Sequence, residues 1–125
     1  AMAMYAELKR PTIKIFYRGI PQLSRLLREI GYGIEEEGIP FETEEFSNNE
    51  SAVGLALEAA SESQMEVGIG IDPESVVLQI AKLKRDEPLF KISARSTDEE
   101  VRIIGTNAGR LVKNLPLVIT EGNSK

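Results

Sequence analysis

Val67-Gly68-Ile69-Gly70-Ile71 contains no polar side chain, and its glycines alternate with Val and Ile. So short an apolar run reads as the central strand of a sheet, with neighbours on both edges and cover on both faces. The rest of the chain has to supply them. Thr12 to Tyr17 is rich in β-branched and aromatic residues and predicts a first strand. Ile39 to Phe46 alternates apolar and acidic residues and predicts a second strand with one wet face. Val76 to Ile80 follows the central strand after only the Asp72-Pro73-Glu74-Ser75 turn, so these two strands should pair antiparallel. Pro88 to Ser93 predicts the fifth strand.

Three stretches carry the helical period instead. Pro21 suits a first helical turn, and Leu23, Leu26, Leu27, Ile30 and Ile34 then repeat at amphipathic spacing. Gly31 and Gly33 weaken that helix toward its end, and Gly38 is placed to stop it. Ser51 caps a second helix whose expected buried stripe is Val53, Ala56, Leu57 and Ala60, small enough to sit close to its neighbour. Thr97 and Glu100 have capping-box spacing and open a third helix with the stripe Val101, Ile104, Ala108, Leu111, Val112 and Leu115. Arg110 and Lys113 complement its dipole, and Pro116 is expected to end it.

The order β-α-β-α-β-β-β-α, with right-handed crossovers, implies a three-layer α/β/α domain. Its mixed five-stranded sheet is mostly parallel, with one antiparallel strand from the hairpin. One domain is expected over residues 5–119. Ala1 to Met4 resembles a cloning scar, and residues 120–125 read as a frayed tail. No signal peptide is visible, and the longest apolar runs fall far short of the ~20 residues that span a bilayer.

The chain has no His, no Cys and no Trp, and its net charge is −5. Without His or Cys it has neither the usual transition-metal ligands nor a Ser-His-Asp or Cys-His nucleophile system. Any ion held here would be a hard, oxygen-seeking one such as Mg²⁺ or Ca²⁺. An acidic balance argues against nucleic-acid binding. Gly68-x-Gly70 lies inside a strand with no helix after it, so it does not read as a phosphate loop. Asp72 and Glu74 are carboxylates at a turn, where local hydrogen bonding explains them better than acid–base chemistry does.

Two features remain. Glu35-Glu36-Glu37 puts three carboxylates at a helix C-terminus, where they oppose the dipole and repel one another. Their side chains fan out by about 100° each, so at most one or two can share a target. The plain alternative is a solvated acidic face. Gly105, Ala108 and Gly109 make a small-residue face on the last helix, suited either to packing within the chain or to a partner contacting Thr106, Asn107 and Arg110.

Gly33-Ile34-Glu35-Glu36-Glu37-Gly38-Ile39-Pro40-Phe41 resembles the GIEEEGIPF segment of the small subunit of diol and glycerol dehydratase reactivating factors. Gly105 to Lys113 is similar to that family's GNNAARLVK run, with departures at Thr106 and Gly109. The Pro88-Leu89-Phe90 strand start also fits. A second member of the superfamily, the medium subunit of the dehydratases themselves, carries a GIEEEGI segment and an NAAR helix too. Its GIGIQ strand resembles Gly68 to Asp72 better. That subunit continues well past the last helix, however, whereas here the chain ends soon after Pro116, and Leu111 to Pro116 is more like the reactivating factor.

The reactivating-factor resemblance implies a non-catalytic subunit. It would pair with a large, actin-like ATPase subunit that holds ATP or ADP. By subunit exchange, the factor would release damaged cobalamin from a B12-dependent dehydratase. It also implies a Mg²⁺ or Ca²⁺ ion where the two subunits meet, with Glu36 as this chain's ligand and the partner completing the shell. The partner interface would take in Glu35, Glu36, Glu37, Asn107 and Arg110. No cofactor would be bound by the isolated chain, and neither nucleic acid nor membrane would be a partner. The setting would be cytoplasmic, with association to a bacterial microcompartment left open. A medium subunit of a cobalamin-dependent dehydratase, or a regulatory domain of the same fold, is the alternative.

Overall fold

The computed structural model describes residues 11–119, so residues 5–10 of the expected domain, the Ala1–Met4 segment and residues 120–125 lie outside the described residues. Five strands form one sheet: β1 (Ile13–Arg18), β2 (Phe41–Phe46), β3 (Val67–Ile71), β4 (Ser75–Ile80) and β5 (Phe90–Ser93). Their spatial order is β2-β1-β3-β4-β5. β1 runs parallel to both β2 and β3, and β4 is antiparallel to β3 and to β5. One strand therefore opposes the other four, as the hairpin predicts. Helix α2 (Ala52–Glu62) covers one face, and α1 (Leu23–Glu36) lies beside α3 (Asp98–Lys113) on the other.

β3 is buried along its whole length and shows two different faces. Val67, Ile69 and Ile71 join the large core cluster with Leu26, Ile30, Ile34 and Ile104 from α1 and α3. The opposite face is bare glycine, and α2 rests on its backbone. A methyl group on Gly68 would stand 2.2 Å from Ala60 N, and one on Gly70 would stand 2.1 Å from Ala52 O. This floor decides which side of α2 turns inward. Ala52, Gly54, Leu55, Ala56, Ala59 and Ala60 are buried, while Val53 and Leu57 are only half-buried. Ala56 and Ala60 are buried as expected, but the stripe is rotated away from Val53 and Leu57: the glycine floor takes the alanines, and Leu55 packs beside it on Phe16.

Polar side chains fix the ends. The Ser51 hydroxyl accepts from Gly54 N at 3.3 Å, and Asp72 Oδ2 accepts from Ala52 N at 2.8 Å. Asp72 Oδ1 accepts from the backbone N–H groups of Glu74 and Ser75, so one carboxylate ties the hairpin turn to the start of α2. The Thr97–Glu100 capping box is present. Two expectations are corrected. β2 is the sheet edge, beyond full helix cover, so Glu42, Thr43, Glu44 and Glu45 are all exposed and only Phe41 and Phe46 are half-buried. Helix α3 ends where Asn114 turns left-handed at φ 58°, ahead of Pro116, which leaves Leu115 42% exposed instead of in the stripe.

The α1–α3 seam positions the rest. At Gly33 an added methyl would meet Arg102 O at 2.2 Å, and at Gly105 it would meet Ile30 O at 2.0 Å. The two backbones touch here, and that settles the small-residue face of α3 as packing within the chain. Beside the contact Glu29 is buried, accepting at Oε1 from Arg102 Nε (3.0 Å) and Nη2 (2.8 Å) and at Oε2 from Arg28 Nε (3.2 Å). The Arg102 bonds outweigh burial and hold the Glu29 carboxyl below the ordinary glutamate range.

Gly68→Val and Gly70→Val should each destabilise the chain by about 3 kcal/mol, because the obstructing atoms are helix backbone and cannot rotate away. Urea unfolding measures this. The lowered pKa of Glu29 means its contribution is complete above the ordinary glutamate value and is lost as pH falls toward the folded-state value. Glu29→Gln should therefore flatten the acid limb of stability against pH, read from urea midpoints at a series of acidic pH values.

Candidate functional site

Helix α1 runs into three successive carboxylates just where its own carbonyls leave a partial negative charge. The seam resolves this conflict for one of them. Glu37 turns onto α3 and keeps only 12% of its side chain exposed. Lys113 Nζ donates to Glu37 Oε1 at 3.0 Å and to the Glu37 backbone O at 3.1 Å, so it answers both a side-chain charge and an open carbonyl at the helix end. Arg110 Nε lies 3.4 Å from Glu37 Oε2. The Lys113 bond, first among several causes, holds the Glu37 carboxyl below its ordinary range.

Glu35 and Glu36 remain exposed. Together with Tyr32 and Arg102 they line an open depression of about 420 Å³. Tyr32 is 46% exposed although large and aromatic, and the Arg102 guanidinium centre lies 5.5 Å from its ring centroid. Arg102 is fixed from behind by Glu29, so its planar face covers Tyr32 while its edge is bonded to a buried carboxylate.

Of the other two residues expected at the interface, Asn107 faces into the chain and Arg110 stays one-third exposed. Asn107 is fully buried: its Nδ2 donates to Val118 O at 2.8 Å, and its Oδ1 accepts from Val118 N at 2.7 Å. Arg110 Nη1 donates to Pro116 O at 3.1 Å. Both strap the segment after α3 back onto that helix. Sequence reasoning missed Tyr32 and Arg102. Tyr32 had a signal, since it lies at i−3 and i−4 from Glu35 and Glu36 on one helix face. Arg102 had none, because its place beside Tyr32 depends on how two distant helices pair.

Both Asp72 oxygens are taken up by backbone N–H groups, which leaves no acid–base pair with Glu74. Among the described residues no group of three or more His, Cys, Asp or Glu side chains could hold a metal ion. Glu35 and Glu36 fit a hard divalent cation only as a partial ligand set, one or two oxygens at an open surface, with the rest of the shell coming from elsewhere. Among the described residues no helix is long and apolar enough to cross a membrane.

Residues 10–118 match the family described as dehydratase medium subunit. The propanediol dehydratase-reactivating factor small subunit of Citrobacter freundii is 36% identical over 113 residues, covering 90% of this chain and 95% of that one. A solved glycerol dehydratase reactivase superposes with a TM-score of 0.84 at 33% identity, over 88% of this chain and 98% of its own. A diol dehydratase-reactivating factor solved in complex with ADP and Mg²⁺ superposes with a TM-score of 0.79 at 34% identity, over 89% of this chain and 100% of that one. The chain belongs to the dehydratase medium subunit family, and within it to the small subunits of diol and glycerol dehydratase-reactivating factors.

Proposed function

We propose that this chain is the docking subunit of a factor that reactivates B12-dependent diol or glycerol dehydratases, working by partner exchange and performing no catalysis itself. The observation that carries this reading is the likeness to reactivating-factor small subunits over nearly the full length of both chains. A fold shared with the dehydratase medium subunit gives the exchange a physical basis: one surface shape competes for two partners, and the winner changes when one partner changes state. In this reading a large ATPase-like subunit binds nucleotide and favours or releases this chain, and displacement of the medium subunit opens a blocked dehydratase so that damaged cobalamin leaves. The proposed working place is the cytoplasm, alongside the client enzyme.

The docking surface in this proposal is the open end of α1. Glu36 supplies one oxygen to a Mg²⁺ or Ca²⁺ ion shared with the large subunit. Glu35 adds negative potential beside it, and Glu37 stays turned inward on Lys113 and Arg110. Such an ion would add positive charge beside the exposed carboxylates at this helix C-terminus, where within the chain Arg102 already acts on Glu36.

Co-expression with the large ATPase-like subunit of a reactivating factor from the same source should give a complex that survives size-exclusion chromatography. Separate elution of the two folded chains would overturn the reading. Glu36→Ala should weaken that complex by about tenfold or more and remove its dependence on added Mg²⁺, while leaving the melting temperature of the free chain unchanged. Titration calorimetry with and without chelator measures the first effect.

A further inference from the structure

The geometry points to Tyr32 as the anchor of the docking surface, held ready by Arg102 and Glu29. This rests on the docking reading above and names the residue that carries the affinity. Three observations lead to it. Tyr32 is a large aromatic side chain 46% exposed on a helix whose other bulky residues face the core, and it stands at the rim of the depression that Glu35 and Glu36 also line. The Arg102 guanidinium centre lies over its ring at 5.5 Å, a contact that favours this placement of the side chain. Arg102 is itself fixed by two bonds to the buried Glu29, and its backbone is pinned against Gly33, the next residue after Tyr32.

A buried carboxylate between two helices adds little stability that an apolar residue of similar size would not. Here it does a further thing: it orients a cation against an exposed ring. An aromatic side chain fixed before contact loses little freedom on binding, and fixed Tyr residues rimmed by polar groups are where binding energy concentrates. Flanking carboxylates indicate what kind of surface fits. With two exposed carboxylates against one arginine that is already bonded to Glu29, the patch is acidic on balance, so a second copy of it is a poor electrostatic match. The complementary partner is a protein surface with a hollow that admits a phenol ring, next to a positive charge or a shared divalent cation. The large subunit is that partner.

The test uses the complete chain and the large subunit with Mg²⁺ present. Tyr32→Ala should raise Kd at least tenfold, mostly through faster dissociation, with no change in the melting temperature of the free chain. Tyr32→Phe should stay within threefold. Arg102→Gln should raise Kd by less than Tyr32→Ala does, and the double substitution should be no weaker than Tyr32→Ala alone, because Arg102 acts through the ring. Additive losses in the double variant would overturn that positioning role. A wild-type complex that Tyr32→Ala leaves within twofold would overturn the anchor, as would a dimer of the free chain that Tyr32→Ala dissociates. No binding by the unsubstituted chain would overturn the docking reading and this inference with it.

Discussion

Backbone meets backbone where α1 crosses α3. At Gly33 and Gly105 no side chain separates the helices, and a single methyl at either position would enter the other helix's main chain. A contact of that kind admits almost no slippage, so it sets one register for everything along the seam. Glu29 comes to lie under Arg102, Tyr32 beside it, and Glu37 against Arg110 and Lys113. Apolar packing alone would tolerate small shifts between two helices. The glycine contact does not, and the polar geometry at the end of α1 follows from it.

That register also explains how a helix carries three carboxylates at its negative pole. Intrahelical electrostatics disfavours the arrangement. The last turn of α3 supplies Arg110 and Lys113, which suit that helix's own dipole and reach across to Glu37 at the same time. One acidic side chain is thereby absorbed into the fold, and two are left outside with their charge uncompensated from α3's last turn. The uneven division turns a uniform acidic run into one inner residue held by α3 and two outer, exposed ones.

Much of the architecture is legible in the chain, because strand and helix periods alternate cleanly. Ser51 and the Thr97–Glu100 pair mark helix starts, and the Asp72–Ser75 turn marks the hairpin. Misreadings arise where tertiary surfaces override local pattern. The face of α2 follows the glycine floor of β3 rather than the bulk of Val53 and Leu57, and β2 is wet on both sides because it forms the edge. At the site, the acidic run is visible in the sequence. The inward turn of Glu37, the burial of Asn107 under Val118 and the cover of Tyr32 by Arg102 all depend on residues paired across helices or along a returning segment, for which no linear spacing exists.

Among the described residues β2 is an acidic edge strand, and this has a consequence for the chain on its own. The strand's outer margin carries main-chain donors and acceptors that another sheet could extend, a usual route to aggregation. Glu44 and Glu45 are exposed along that margin, so two such margins approaching each other meet like charge before main-chain bonds can form. Such a margin works against edge-to-edge pairing of two chains in a way that a neutral strand of the same length would not.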